Sequence, residues 1–140
     1  MKIDRGLVVY VCFAAGASEK TVDKAVKMVL AAKLSEPSED GTENSNQVKS
    51  VTRGRVSIVD LPGDILVVPQ ATLGGRFKGS QPQYHGNCEV SLAKQLYDRF
   101  IEGLRTAITE RGKRVEAGRY GSRQPVSITT DGPYSHIIEL

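Results

Sequence analysis

Two short polar constellations have residue types suited to chemistry at an ester. Gln70 and Thr72 stand two apart just beyond the apolar run Ile65–Val68, with Pro69 before them and Ala71 between. An amide and a hydroxyl at that spacing can brace a turn through hydrogen bonds to nearby backbone. They can equally form a polar patch that orients an ester or its attacking water. Asp131-Gly132-Pro133 reads first as a turn, in which Gly lets backbone approach closely and Pro holds the path. It serves either as a connection between strands or as main-chain recognition of a small α-amino group. The two histidines, His85 and His136, lie far apart, so no metal site is assigned. Cys88 follows His85 too closely for a supported thiol site. Gly74-Gly75-Arg76 completes no nucleotide-binding fingerprint.

These residues need elements to hold them. Leu7–Phe13 is rich in β-branched and aromatic side chains and reads as a strand buried on both faces. Ser18 is a candidate N-cap for a helix in which Val22, Ala25, Val26, Val29 and Leu30 recur at helical spacing, with Lys20, Lys24 and Lys27 on the wet side. Residues 37–54 are a polar stretch without apolar anchors, expected as a mobile insertion within the domain. Val56–Val59 and Ile65–Val68 flank the turn signal Leu61-Pro62-Gly63-Asp64 and read as a hairpin. Leu73–Asn87, rich in Gly, reads as a loop. From Ala93 to Ile108 one apolar stripe marks the clearest helix, with Gly112 as its stop. Val115–Ala117, Val126–Thr130 and Ser135–Leu140 are short strand candidates. This order predicts an α+β domain over 1–140, its helices packed on a curved, largely antiparallel or barrel-like sheet. A strand at each terminus makes edge-to-edge dimerisation available.

Composition bounds the function without choosing it. A chain of 140 residues can bury a real core as one domain. Its 19 Lys and Arg against 16 Asp and Glu permit phosphate contact without requiring it. The basic residues cluster at Arg76 and Lys78, then at Arg111, Lys113, Arg114, Arg119 and Arg123, as a phosphate path or as solvated surface. Two cysteines, one in an apolar run as a core thiol, imply no disulfide framework. The start MKIDRG carries no apolar targeting run. Leu7–Ala15 is too short to span a membrane. A soluble, cytoplasmic protein is the default expectation.

Three motifs in order then give a sharper reading. Pro69-Gln70-Ala71-Thr72-Leu73, Gly118-Arg119-Tyr120-Gly121 and Asp131-Gly132-Pro133 resemble the D-aminoacyl-tRNA deacylase family. The resemblance runs from Arg5 to Leu140, apart from the polar insertion. It is closest to the eukaryotic animal-type, or type-two, branch, through Arg5–Phe13 and Leu61–Arg76. Where the bacterial type has Ser-Gln-Phe-Thr this chain has Pro69-Gln70-Ala71-Thr72, and Thr130 stands where Asn is common. The family pattern also has an N-terminal strand pair ahead of Arg5–Phe13, which this domain is expected to lack.

The resemblance implies hydrolysis of the ester between an amino acid and the terminal adenosine of a mischarged tRNA, without a cofactor. Gln70, Thr72, Gly132 and Pro133 become the catalytic set. Pro69, Ala71, Leu73, Arg76, Lys78, Tyr120 and Asp131 become substrate-binding residues, with Tyr84 a further candidate for stacking on the terminal nucleotide. Tyr120 fits stacking or core packing. Thr72 lacks an adjacent base and is not assigned as a nucleophile. The resemblance implies instead that a terminal ribose hydroxyl helps organise water attack. It further implies a homodimer in which Gly132-Pro133 of one subunit enters the partner's pocket. The type-two branch implies a trans Gly-Pro bond and a roomier pocket that also takes L-alanyl-tRNA. The alternative is a tRNA-binding relative with weak or lost hydrolysis.

Overall fold

Strand β2, Asp64–Pro69, is the centre of the sheet and carries the site at its C-terminal end. The computed structural model describes residues 1–37 and 54–140; the polar stretch expected as an insertion falls largely on residues outside them. Strand β1, Gly6–Val11, pairs parallel to β2 with Gly6 opposite Asp64 and Val11 opposite Pro69. On the other side β5, Val115–Ala117, also runs parallel to β2. Between them come helix α1, Glu19–Ala31, a 3-10 turn at Ala71–Gly74, the antiparallel hairpin β3, Arg76–Lys78, with β4, Gln81–Gln83, and helix α2, Val90–Thr109.

The main sheet is therefore parallel, not the largely antiparallel or barrel-like sheet expected, although the α+β content is as read. The cause is connectivity: α1 lies between β1 and β2, and α2 between β2 and β5, so each crossover returns the chain in its original direction. The expected hairpin does not form. Val56 makes only an isolated bridge to Ser35, and the chain then turns through 58–62, where the Ser57 carbonyl accepts from the Leu61 amide at 3.0 Å. This turn drives Ile58, fully buried, into the core.

Ile65 and Val67 alternate onto one face of β2 and are completely buried against the α2 stripe of Leu96, Phe100, Leu104 and Ile108. Ser18 caps α1 as expected, exchanging hydrogen bonds with Thr21 in a capping box. Gly103 lets α2 approach α1, since a Cβ there would lie 2.9 Å from a Val26 methyl. Strand β1, at the sheet's edge, is half-buried and not covered on both faces. Tyr10 on it is 45% exposed, and Leu66 and Val68 on the same face of the sheet are only half-buried.

At the foot of the sheet Asp64 is buried. It accepts from the Asp4 amide at 3.0 Å and the Arg114 amide at 3.1 Å. Burial pushes this carboxyl up, but those two bonds and the Arg114 and Lys113 charges outweigh it and hold it below its ordinary value. The strands expected at Val126–Thr130 and Ser135–Leu140 are absent. Residues 121–140 run irregular and exposed throughout, and no strand among the described residues pairs with them. No helix among the described residues is long and apolar enough to cross a membrane.

Candidate functional site

The end of β2 becomes a platform through a short series of backbone bonds. The Gln70 amide donates to Val11 O at 2.8 Å, extending the pairing with β1 by one residue. The chain then tightens into the 3-10 turn, with Leu73 N donating to Gln70 O at 3.1 Å and Gly75 N to Thr72 O at 3.0 Å. This turn lifts Ala71, Thr72 and Leu73 onto the surface. Gln70 Nε2 donates to Thr72 Oγ1 at 2.6 Å. A hydroxyl that accepts from an amide keeps its own proton for an outward acceptor. The pair can thus present a donor to a carbonyl or a water. Its partner is an amide and not a base, which suits positioning rather than nucleophilic attack.

Around this pair the motif residues divide. Pro69 ends β2 beside Gly118, where any Cβ would lie 2.9 Å from the Pro69 ring. Gly118 N donates to Val67 O at 2.8 Å, so the second motif is stitched to the strand carrying the first. Tyr97 on α2 donates its hydroxyl to Gly118 O at 2.6 Å from a buried position that raises its pKa to about 12. Tyr120 packs on Tyr97 with centroids 5.4 Å apart and is half-buried. Burial, with the Cys88 and Cys12 thiols nearby, pushes its phenol up. Gly118, Arg119 and Tyr120 also line a cleft of about 370 Å³ against Tyr97, Asp98 and Arg105. Gln70 and Thr72 do not line it.

Arg76 and Lys78 extend from the β3–β4 hairpin, exposed, on a segment expected to be a loop. Gly79, at φ 63°, makes its turn. Tyr84 lies against Gly75, where a Cβ would come within 2.7 Å of its ring, so it borders the platform and is 41% exposed. In the second basic group, Arg111 and Arg114 serve the fold. Arg111 donates to Ala107 O at 2.6 Å, and Arg114 donates to Lys2 O at 3.0 Å.

No hydrogen bond among the described residues links Gly132 or Pro133 to Gln70 or Thr72. Gly132 and Pro133 sit on the exposed tail with Asp131, and among the described residues a Cβ on Gly132 would meet only the Tyr134 backbone nitrogen. Tyr134 lies beneath the Arg55 guanidinium at 4.0 Å and edge-on to His136. The Gly132–Pro133 bond is cis, in contrast to the trans form expected. The intrinsic trans preference of an X–Pro bond is too small to choose the isomer. His85 bonds Gln83 at 3.1 Å, and the described residues hold no cluster of three or more residues with a metal-ligand set.

Two residues missed by sequence reasoning support the platform from below. Asn87 Nδ2 donates to Ala71 O at 2.9 Å, and the Cys12 thiol faces that carbonyl at 3.5 Å and Asn87 Oδ1 at 3.6 Å. Cys12 is thus half-buried under the site and not a core thiol; burial pushes its pKa up. An isolated Asn after a glycine gives no pattern from which this contact could be read.

Comparison with known proteins identifies the family. The chain is 41% identical to D-aminoacyl-tRNA deacylase 2 of Gallus gallus over 99% of its own length and 79% of that protein. It is likewise 41% identical to the Homo sapiens protein of that name, over 100% of this chain and 79% of the relative. The fold is similar to the solved c-Myc DNA unwinding element binding protein, with TM-score 0.76, 26% identity, and 94% of this chain and 80% of that one covered. The family model described as D-Tyr-tRNA(Tyr) deacylase matches residues 1–139, and with relatives this similar over nearly its whole length the chain belongs to that family.

Proposed function

We propose that the protein hydrolyses the ester linking a D-amino acid to the terminal adenosine of tRNA, as a proofreading step of translation in the cytoplasm. The observation that carries this is the surface Gln70–Thr72 pair, which offers a hydrogen-bond donor at the end of the central strand with no base to make a nucleophile. The substrate class comes from the family and from relatives named for D-aminoacyl-tRNA deacylation. In this reading the donor holds the ester carbonyl or the attacking water, and the terminal ribose hydroxyl of the RNA assists attack. Catalysis is by placement and directed hydrogen bonding. Arg76 and Lys78 on the exposed hairpin contact phosphate, supplying affinity more than sequence choice.

The pocket is completed by a second copy of the chain. Its Gly132-Pro133 turn and Asp131 cap the Gln70–Thr72 platform and test the α-carbon by backbone geometry. The exposed tail supports this, since Val126, Ile128, Ile137 and Ile138 are left on the surface of an isolated subunit. So does the half-covered face of Tyr10, Leu66 and Val68, because parallel sheets ordinarily bury both faces. Pro69, Ala71 and Thr130, departures from the bacterial motifs, support L-alanyl-tRNA as a further substrate.

A single-turnover comparison of D-alanyl-, L-alanyl- and glycyl-tRNA, without added metal and with enzyme-free controls, tests the assignment. Acceleration of D-alanyl ester hydrolysis is expected. Binding of tRNA without acceleration on any of the three would sink the hydrolase reading and leave an RNA-binding relative.

A further inference from the structure

We propose that Asn87 is a positioning residue for the Gln70–Thr72 pair, acting through the Ala71 carbonyl. Asn87 is itself fixed. Its amide donates to Tyr84 O at 3.1 Å, and it forms an antiparallel bridge with Ala14. On either side Ala15 N donates to Gly86 O at 2.7 Å and Cys88 N to Phe13 O at 3.0 Å. From this anchored backbone its side chain reaches the Ala71 carbonyl at 2.9 Å. The Ala71 carbonyl and the Thr72 nitrogen share one rigid peptide plane. Holding the carbonyl therefore sets the direction in which Thr72 leaves the chain, and with it the hydroxyl that Gln70 engages at 2.6 Å. Space is reserved for this contact. Any Cβ on Gly74 would collide with Asn87 Oδ1, so glycine at 74 is what lets the amide pass.

The inference rests on the deacylase reading for its catalytic consequence, but its geometric part does not. Asn87→Asp keeps the shape and removes the donor: an ionised carboxylate offers only acceptors to the Ala71 carbonyl, while its protonated form regains an O–H donor. At saturating protein and neutral pH, its single-turnover rate on D-alanyl-tRNA should fall at least about tenfold, the kinetic equivalent of one lost hydrogen bond. Half-saturation by tRNA should move less than about twofold, because the phosphate contacts are elsewhere. The gap to wild type should narrow as pH falls through the carboxyl range. A purely structural residue would shift melting temperature without that pH-dependent recovery.

Amide hydrogen exchange supplies a readout independent of activity. The Leu73 and Gly75 amides should exchange at least about tenfold faster in Asn87→Asp, with those of β2 unchanged. Gly74→Ala, which displaces the same side chain, should reproduce both effects, and it serves alone if the first variant does not fold. A wild-type rate in either folded variant, a rate gap of Asn87→Asp indifferent to pH, or unchanged exchange at Leu73 and Gly75 would each overturn the proposal. If wild-type protein hydrolyses no aminoacyl-tRNA, the deacylase reading falls and the exchange result alone decides the role of Asn87.

Discussion

Thr72 offers a hydroxyl whose acceptor side is taken by Gln70 at 2.6 Å, so its value lies in the proton it still holds. Thr72→Val keeps the shape and removes that donor. It should lower the single-turnover rate about a hundredfold, in line with losing one directed donor to developing charge, and leave the melting temperature near wild type. Tyr97→Phe tests the opposite class of residue. Its hydroxyl secures Gly118 from a buried position, so the variant should lose about 1 kcal/mol in denaturant unfolding. Tyr97 also has a pKa raised in the folded state to about 12, so its contribution is whole below the ordinary tyrosine value of 10 and is lost as pH rises from there through 12. Gln70 and Thr72 were singled out by type and spacing, which left turn bracing and ester positioning open; only the resemblance chose between them, and the fold brings the two side chains together. Asn87 was not singled out, since its role exists only once β1 and the chain before α2 are side by side.

Strand β2 shows what a local reading loses. Val56–Val59 and the turn signal at Leu61–Asp64 have every short-range mark of a hairpin, yet β2 pairs with β1, some sixty residues earlier. What decides is burial: Ile58 enters the core through a turn, and β2 gains neighbours on both edges. The helices were legible because a stripe such as Leu96-Phe100-Leu104 names its own face without knowing its partner. Gly6 fixes the register at the other end of β2, because a Cβ there would run into the Asp64 backbone. Gly6→Ala should therefore destabilise by about 1–3 kcal/mol in chemical unfolding, as overpacking against an immovable neighbour does. Gly103→Leu should destabilise to a similar degree. Unlike Gly6→Ala it should be largely rescued by Val26→Ala, because its obstacle is a side chain. Failure of that rescue would remove Val26 as the cause.

For the molecule as a whole, Asp64 contributes to acid stability. Its folded pKa is lowered, so its contribution is present above the ordinary aspartate value and is lost as pH falls below about 4 through the folded value. Asp64→Asn should flatten this acid limb of the pH–stability curve while lowering stability at neutral pH. Val126–Thr130 and Ser135–Leu140 were read as short strands between glycine- or proline-bearing turns, and such local marks do not say which chain supplies a neighbouring strand. Among the described residues the space around Gly132 holds only the Tyr134 nitrogen, which has a consequence for mixtures. If a second chain fills it, each pocket draws its halves from different molecules. Two inactive proteins, one carrying Thr72→Val and the other a disrupted Gly132, should then restore activity when unfolded and refolded together. Random pairing puts half the molecules in mixed dimers, each with one intact pocket, or about a quarter of wild-type turnover. By the same logic, dilution below the dimer's dissociation constant should silence intact protein without altering a single residue.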